Sequence, residues 1–479
     1  MNAVDSTSHG ASSRREWLRR ASVGFGALAW AALLNERATS GEVQSPLAPR
    51  VPHHPARARR IIFLFMSGGP SQVDTFDPKP LLARDAGKPL PFAKPQVQFN
   101  GTGNLLPSPW KFRQQGESGM WVSELFPHLA GCVDDLCMIH SLHGTNAAHG
   151  GAVMKIHTGS DNFVRPSMGS WVSYGLGSEN ENLPAFVSIC PTLAFGGVNN
   201  WSSAFLPAVY QGTPLGDASI PAERARVSYI SNPRWSRQLQ RLQLDQLQKM
   251  AAQQRTAGNS TTPPNDLLDA RLASMELAFR MQTELPRVED LSSETQATQR
   301  LYGLDDPKTA NFGRMCLLAR RFVEAGVRFI QVTHNDDKVQ WDQHSDLKAG
   351  HEKNALEVDR PIAGLLRDLK QRGLLEETLI WWGGEFGRTP TAEGTNGRDH
   401  NPDGFTMWLA GGGVHGGLRY GATDDYGYYA AENKVHIHDL HATLLHLLGL
   451  NHEQLTYRHA GRDFRLTDVA GTVIRPLFE

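Results

Sequence analysis

Six short, almost wholly apolar runs constrain this chain more than any other feature. They are RIIFLFM (60–66), LCMIHSL (136–142), AFVSI (185–189), VRFIQVT (327–333), TLIWW (378–382) and FTMWLA (405–410). None alternates apolar with polar residues as a half-solvated strand would, so each reads as a strand covered on both faces. Amphipathic stretches separate them, at 126–136, 150–157, 168–176, 312–325, 349–372 and 438–448. This alternation predicts an α/β fold: a doubly wound, mostly parallel sheet sandwiched by helices. One stretch departs from it. Residues 233–285 are rich in Gln, Arg and Leu and hold no strand candidate. RQLQRLQLDQLQKMAAQQ (237–254) and LLDARLASMELAFRMQ (267–282) flank NSTTPPND (259–266) there. They predict a helical insertion docked on the sheet domain, and fewer than three clean heptads argue against a coiled-coil arm.

The N-terminus reads as an address. SSRREWLRRASVGFGALAWAALL (12–34) places Arg14-Arg15 and Trp17-Leu18 before an apolar stretch from Ala21 to Leu34. The string S-R-R-x-W-L-R resembles the twin-arginine export signal, with Trp17 in place of the usual Phe. The apolar stretch is short and Gly/Ala-rich for a membrane span, although an N-terminal anchor is the alternative. Residues 1–40 are therefore read as a signal peptide and the Pro-rich, basic 41–59 as a linker. The domain proper is expected over 60–479, periplasmic or extracellular, with no membrane span in the mature chain.

A formal net charge of −1 gives no electrostatic basis for a nucleic-acid partner or an anionic membrane. The four cysteines (Cys132, Cys137, Cys190, Cys316) lack the paired C-x2-C spacing of a zinc site. Buried free thiols are expected, with a Cys132–Cys137 disulfide left open. Histidine is abundant: eleven of nineteen lie between His334 and His459. That density favours a metal or acid/base site in the C-terminal half.

The carboxyl ends of parallel strands share one edge, where ligand groups collect. The run 60–66 leads to Asp74 and Asp77, and 136–142 leads to His143, Asn146 and His149 at a predicted helix N-terminus. The run 327–333 leads to His334, Asp342 and His344, and TLIWW leads through two glycines to Glu385 and Arg388. The loop before 405–410 carries Arg398, Asp399 and His400. Carboxylate and imidazole together suit zinc or manganese or, with fewer histidines, magnesium or calcium. Asp342 and His344, two apart, point the same way from extended backbone. Adjacent Asp399 and His400 diverge, so one can ligate while the other orients a neighbour. Glu385 has a plainer reading as a helix cap or a partner of Arg388, and His149 as a helix N-terminal hydrogen bond. In HIHDLHATLLHLLGL (436–450) an apolar stripe of leucines makes His441 and His446 ordinary helix residues.

Taken in order, GGPSQVDTFDPKP, HGTNAAHGG…HTG, WDQHSD, RGLLEETLIWWGGEFGRTP, GRDHNPDGFTMWLAGGGVHGGLRYGATDD and DLHATLLHLLGL…GRDFRLTDV resemble an exported bacterial family, domain of unknown function 1501. That family in turn looks like a member of the alkaline phosphatase and sulfatase superfamily, which implies an alkaline phosphatase-like fold. The resemblance sets Glu385 at a metal-binding strand-end acid and His149 at the position of the modified cysteine nucleophile. It also carries departures. Gly68 and Gly69 stand where sulfatases have two metal-binding aspartates, with Asp74 expected to compensate, and Phe386 replaces a metal-binding His or Asn. With no Cys or Ser at the nucleophile position, formylglycine chemistry is not expected.

These readings predict a divalent metal held by Asp74, Asp342, His344, Glu385, Asp399 and His400. His149 is expected as nucleophile or acid/base and Arg388 as the stabiliser of a transferring anion. The expected function is an exported metal-dependent hydrolase of phosphate or sulfate esters. The alternative is a non-catalytic exported protein on a degenerate sulfatase-like fold, binding a glycan, a metal or a protein.

Overall fold

The computed structural model describes residues 45–93, 102–257, 266–335 and 340–479. The twin-arginine-like segment lies outside them. Residues 46–479 form one unit around a nine-stranded sheet. Its strands in chain order are β1 (Arg60–Met66), β2 (Leu136–His143), β3 (Phe186–Ile189), β4 (Thr213–Leu215), β5 (Phe329–His334), β6 (Thr378–Gly383), β7 (Phe405–Ala410), β8 (Arg419–Tyr420) and β9 (Val435–His436). The order across the sheet is β8-β2-β7-β6-β1-β5-β3-β4, with β9 also paired to β2. Every pairing is parallel except those of β7, which runs antiparallel to both β2 and β6. All six apolar runs are strands, and β1, β5, β6 and β7 are buried along their whole length.

The principal helices are α1 (His149–Thr158), α2 (Met168–Leu176), α3 (Arg237–Ala257), α4 (Asp266–Glu289), α5 (Ala310–Glu324), α6 (Leu347–Gln371) and α7 (Ile437–Leu447). Two apolar layers cover the sheet. One contains β1 residues Ile62, Leu64 and Met66 with α5 and α6; the other contains Ile61, Phe63 and Phe65 with α1, α2 and α7. Alternate β1 side chains thus enter opposite layers, as the two-residue strand repeat requires. The expected 126–136 helix is instead a 3-10 segment, Leu129–Asp135, whose entry is held by Asp359 accepting from the His128 and Leu129 N–H groups. The Gln/Leu-rich stretch forms α3 and α4, with Met281 and Leu285 of α4 in the first layer. All four cysteines are buried free thiols. No helix among the described residues is long and apolar enough to cross a membrane. Within the Pro-rich stretch before β1, the Arg57 and Ala58 N–H groups donate to Leu447 O at the end of α7.

The reversed direction of β7 matters for function. Its N-terminal end lies where β2 and β6 have their C-terminal ends, so the loop that precedes it reaches the same edge as the loops that follow the parallel strands. A two-residue antiparallel ribbon, Gly387–Arg388 against His400–Asn401, ties the loop after β6 to the loop before β7.

Candidate metal centre

Five chain segments meet at this edge. The loop after β1 makes a tight turn at Gly68 and Gly69, with φ of +112° and +82°. A Cβ at Gly68 would stand 2.7 Å from the backbone nitrogens of Trp341 and Asp342, so only glycine lets the loop after β5 cross there. That crossing is fixed by Trp341, whose N–H donates to Ser67 O (2.9 Å) and whose indole donates to His334 Nδ1 (2.9 Å). Asp342 and His344 are thereby set over the end of β1. β2 delivers His149 as the first residue of α1, β6 delivers Glu385 and Phe386, and the ribbon delivers His400.

His149, Asp342, His344 and His400 converge, with one ligand atom of each within 4.8 Å of all the others. The Asp342 carboxylate is central. Its Oδ1 lies 2.9 Å from His344 Nε2 and 3.1 Å from His400 Nε2, and its Oδ2 lies 3.1 Å from His149 Nε2. Each imidazole is oriented through its other nitrogen. His149 Nδ1 donates to Glu385 Oε1 (2.6 Å), His400 Nδ1 to the Ala147 carbonyl (2.6 Å), and His344 Nδ1 to Glu393. Because a carbonyl or carboxylate only accepts, each Nδ1 carries a proton, and each Nε2, which faces the Asp342 carboxylate, is the nitrogen left to bind a cation once it is deprotonated. Holding a ligating histidine by its second nitrogen is how proteins fix tautomer and ring orientation at metals.

The donor set fits a cation. His344 Nε2 and His400 Nε2 are 3.0 Å apart, a separation that needs either a proton on one of them or a cation shared by both. Burial alone would lower the pKa of His149, but Asp342 and Glu385 outweigh it and raise it to about 9. Asp342 likewise raises that of His344. His400 moves the other way, burial being the larger influence. Burial opposes the charged form of Asp342, yet the three histidines and Arg388 hold its carboxyl well below the usual range. Two of the three imidazoles therefore favour a proton, which a metal would displace on binding.

Beside this cluster, His344, Glu393 and Asp399 form a second group of potential ligands. Asp399 Oδ1 accepts from the His400 N–H (2.7 Å), while its Oδ2 is buried with no hydrogen-bond partner among the described residues. Burial raises the pKa of Asp399.

Three of the residues expected in the site stand outside the converging group. Glu385 is not one of the converging ligands: both its oxygens accept from the Gly68 N–H (3.0 and 3.1 Å), and Oε1 also orients His149. Arg388 is fully buried and faces no open space. Its guanidinium donates to the carbonyls of Gly68, Gly69 (3.0 Å), Trp341 (3.1 Å) and Arg398 (3.2 Å), and to Asp342 (2.7 Å). It positions Asp342 from within the protein. Asp74, also expected among the ligands, lies outside the converging group. It is fully buried, and its carboxylate takes two bonds from Arg398 (2.6 and 3.1 Å) and one from Ser71 (2.5 Å). His149, read from sequence as nucleophile or acid/base, stands with the ligands. Phe386 packs on His149 and His400, with ring centroids 4.9 and 4.4 Å away. Glu393 was missed, since a lone glutamate in TAEG carries no local signal.

A family model covers this whole region, matching residues 58–478. The chain belongs to the family described as protein of unknown function (DUF1501). No curated protein matches this DUF1501 member. Several solved structures are similar in fold outline. One is the PsFucS1 sulfatase from Pseudoalteromonas sp., 13% identical over 83% of this chain and 69% of that one, with a TM-score of 0.35. Another is the lipoteichoic acid synthase LtaP from Listeria monocytogenes, 10% identical over 88% and 78%, TM-score 0.35. A third is the alkaline phosphatase of the Antarctic bacterium TAB5, 7% identical over 83% and 99%, TM-score 0.34.

Proposed function

We propose that this DUF1501 protein is an exported, metal-dependent hydrolase of phosphate or sulfate esters. One observation carries the metal: three Nε2 atoms converge on the Asp342 carboxylate while each partner Nδ1 is held by an acceptor. Three imidazoles and one carboxylate suit zinc, or another imidazole-seeking divalent ion such as manganese, better than calcium or magnesium. A bound divalent ion supplies Lewis acidity toward an ester oxygen. His149, His344, His400 and Asp342 would hold it, Glu385 and Glu393 would keep two imidazoles facing it, and Arg388 would fix Asp342. The open side is at His344 and Asp342, whose side chains are 30% and 20% exposed, against 6% for His149 and 2% for His400. The ester class follows from the order of motifs that resembles the sulfatase superfamily, and export from the Arg14-Arg15 segment.

The test is elemental analysis of the folded protein followed by assay of aryl phosphates and sulfates. About one metal ion per chain in the wild type, lost in Asp342→Ala and His400→Ala together with hydrolysis, is the expected result. No metal after soaking in zinc and manganese would sink the reading. A second reading, a metal or glycan binder without turnover, is favoured by one feature: His149 stands where the sulfatase resemblance would put a cysteine or serine nucleophile. Metal binding without hydrolysis of either ester would select it.

A further inference from the structure

His149 lies between two phenylalanine rings that differ in one respect. Phe386 is 1% exposed and forms the inner wall of the cluster. Phe195 stacks on His149 at a centroid distance of 4.7 Å and an interplanar angle of 24°, yet remains 40% exposed. Its neighbours Leu193 and Val198 are 64% and 59% exposed. This loop is built rather than slack. The Thr192 hydroxyl accepts from the Ala194 N–H (3.0 Å), and the Asn200 amide donates to the Phe195 carbonyl (3.1 Å). The turn at Gly197–Trp201 packs on α1, whose first residue is His149. Phe195 itself has φ of +42°, a left-handed conformation that is costly for an aromatic residue. Phe195 thus combines a left-handed backbone with a ring that is only partly buried, whereas Phe386 covers the cluster's inner side with neither feature.

We propose that Phe195 is the binding wall for the organic half of the ester, and that this half presents a flat, weakly polar ring face. The inference rests on the hydrolase reading for the metal cluster. His149 covers one face of Phe195, so an incoming ring would stack on the other, exposed face, with the ester anion reaching past the phenyl edge toward the four converging residues. A sugar ring offers its C–H face and an aryl group its π face, and both stack on an exposed phenyl ring. Methyl or other small esters would leave Phe195 uncovered.

Calorimetry on the zinc-loaded protein tests this with phenylphosphonate, glucose 1-phosphate and methylphosphonate, and with benzenesulfonate and methanesulfonate. In the wild type at least one ring-bearing probe is expected to bind about tenfold tighter than its methyl counterpart. That preference is expected to vanish in Phe195→Ala and in Phe195→Leu, with metal content unchanged. Phe195→Leu keeps apolar bulk on His149 should the alanine variant fail to fold. Which probe gains, phenyl or sugar, tells the two sources apart. Equal affinity for ring and methyl probes, no binding of any probe, or an unchanged preference in Phe195→Leu would each overturn the proposal. If probes bind with the ring preference but no ester is hydrolysed, only the hydrolase reading fails. Absence of metal, seen before any probe is added, ends both.

Discussion

At Glu385 the carboxylate is committed to the backbone and to a histidine. The residue follows two glycines out of β6, and its oxygens accept the Gly68 N–H before Oε1 reaches His149. Removing the charge while keeping the shape should therefore weaken the cluster without abolishing it. Glu385→Gln is expected to lower metal affinity by about 10- to 100-fold with the fold intact, measured by competition with a chromogenic chelator. Unchanged affinity would mean His149 needs no carboxylate behind it. Gly68 makes a different demand. Its φ of +112° and the 2.7 Å approach of the Trp341–Asp342 backbone leave no room for a methyl group. Gly68→Ala is expected to cost about 3 kcal/mol or more, read from the urea midpoint, because backbone strain adds to a clash with main chain.

At the scale of elements, the ribbon joining Gly387–Arg388 to His400–Asn401 is flanked by a buried ion pair outside the converging cluster. The Asp74–Arg398 pair is wholly buried on both sides. Burial works against the charged carboxylate, but Arg398 prevails and holds Asp74 below its usual range. Breaking such a pair from one side strands a buried charge. Asp74→Ala is expected to lose about 3–5 kcal/mol of stability in urea titration. At concentrations where the variant is folded it should still bind metal in wild-type proportion. Loss of metal with the fold retained would return Asp74 to the ligand set. How such a pair could be mistaken for a ligand is plain from its spacing. DTFDP offers a carboxylate soon after a strand end, and nothing local to it reveals Arg398, 324 residues away. His400 was legible because it sits in a polar loop leading into β7. Its Nδ1 acceptor, the Ala147 carbonyl, was not, being 253 residues off.

Across the whole molecule, several histidines outside the cluster are buried and neutral. Burial lowers the pKa of His351 and His441 to about 3 and of His157 to about 4. All three lie inside: His441 Nε2 meets the Ile156 carbonyl, His157 Nδ1 the Val153 carbonyl, and His351 Nε2 accepts the Ser71 N–H. Between these values and the unfolded value near 6.5, the unfolded chain holds protons that the native state does not. Their contribution is thus fully present above about pH 6.5 and is lost as the pH falls toward 4. Three such groups give a slope of up to about 4 kcal/mol per pH unit. Urea midpoints of the metal-free protein measured from pH 7.5 to 5 should fall accordingly, and a flat profile would contradict the neutral assignments. The abundance of histidine that suggested a polar site was therefore divided by the fold. Three imidazoles face Asp342, and others fill the interior as uncharged hydrogen-bonding groups. Apolar runs, glycine turns and amphipathic stretches are local patterns, so the sequence by itself determined the strands, most of the helices and the loops that carry polar residues. Which carboxylate ligates, which orients and which is paired away depends on contacts such as His149 with Glu385, 236 positions apart. Only the tertiary structure decided those roles, because a hydrogen bond commits a nitrogen or an oxygen through space and leaves no trace in the spacing along the chain.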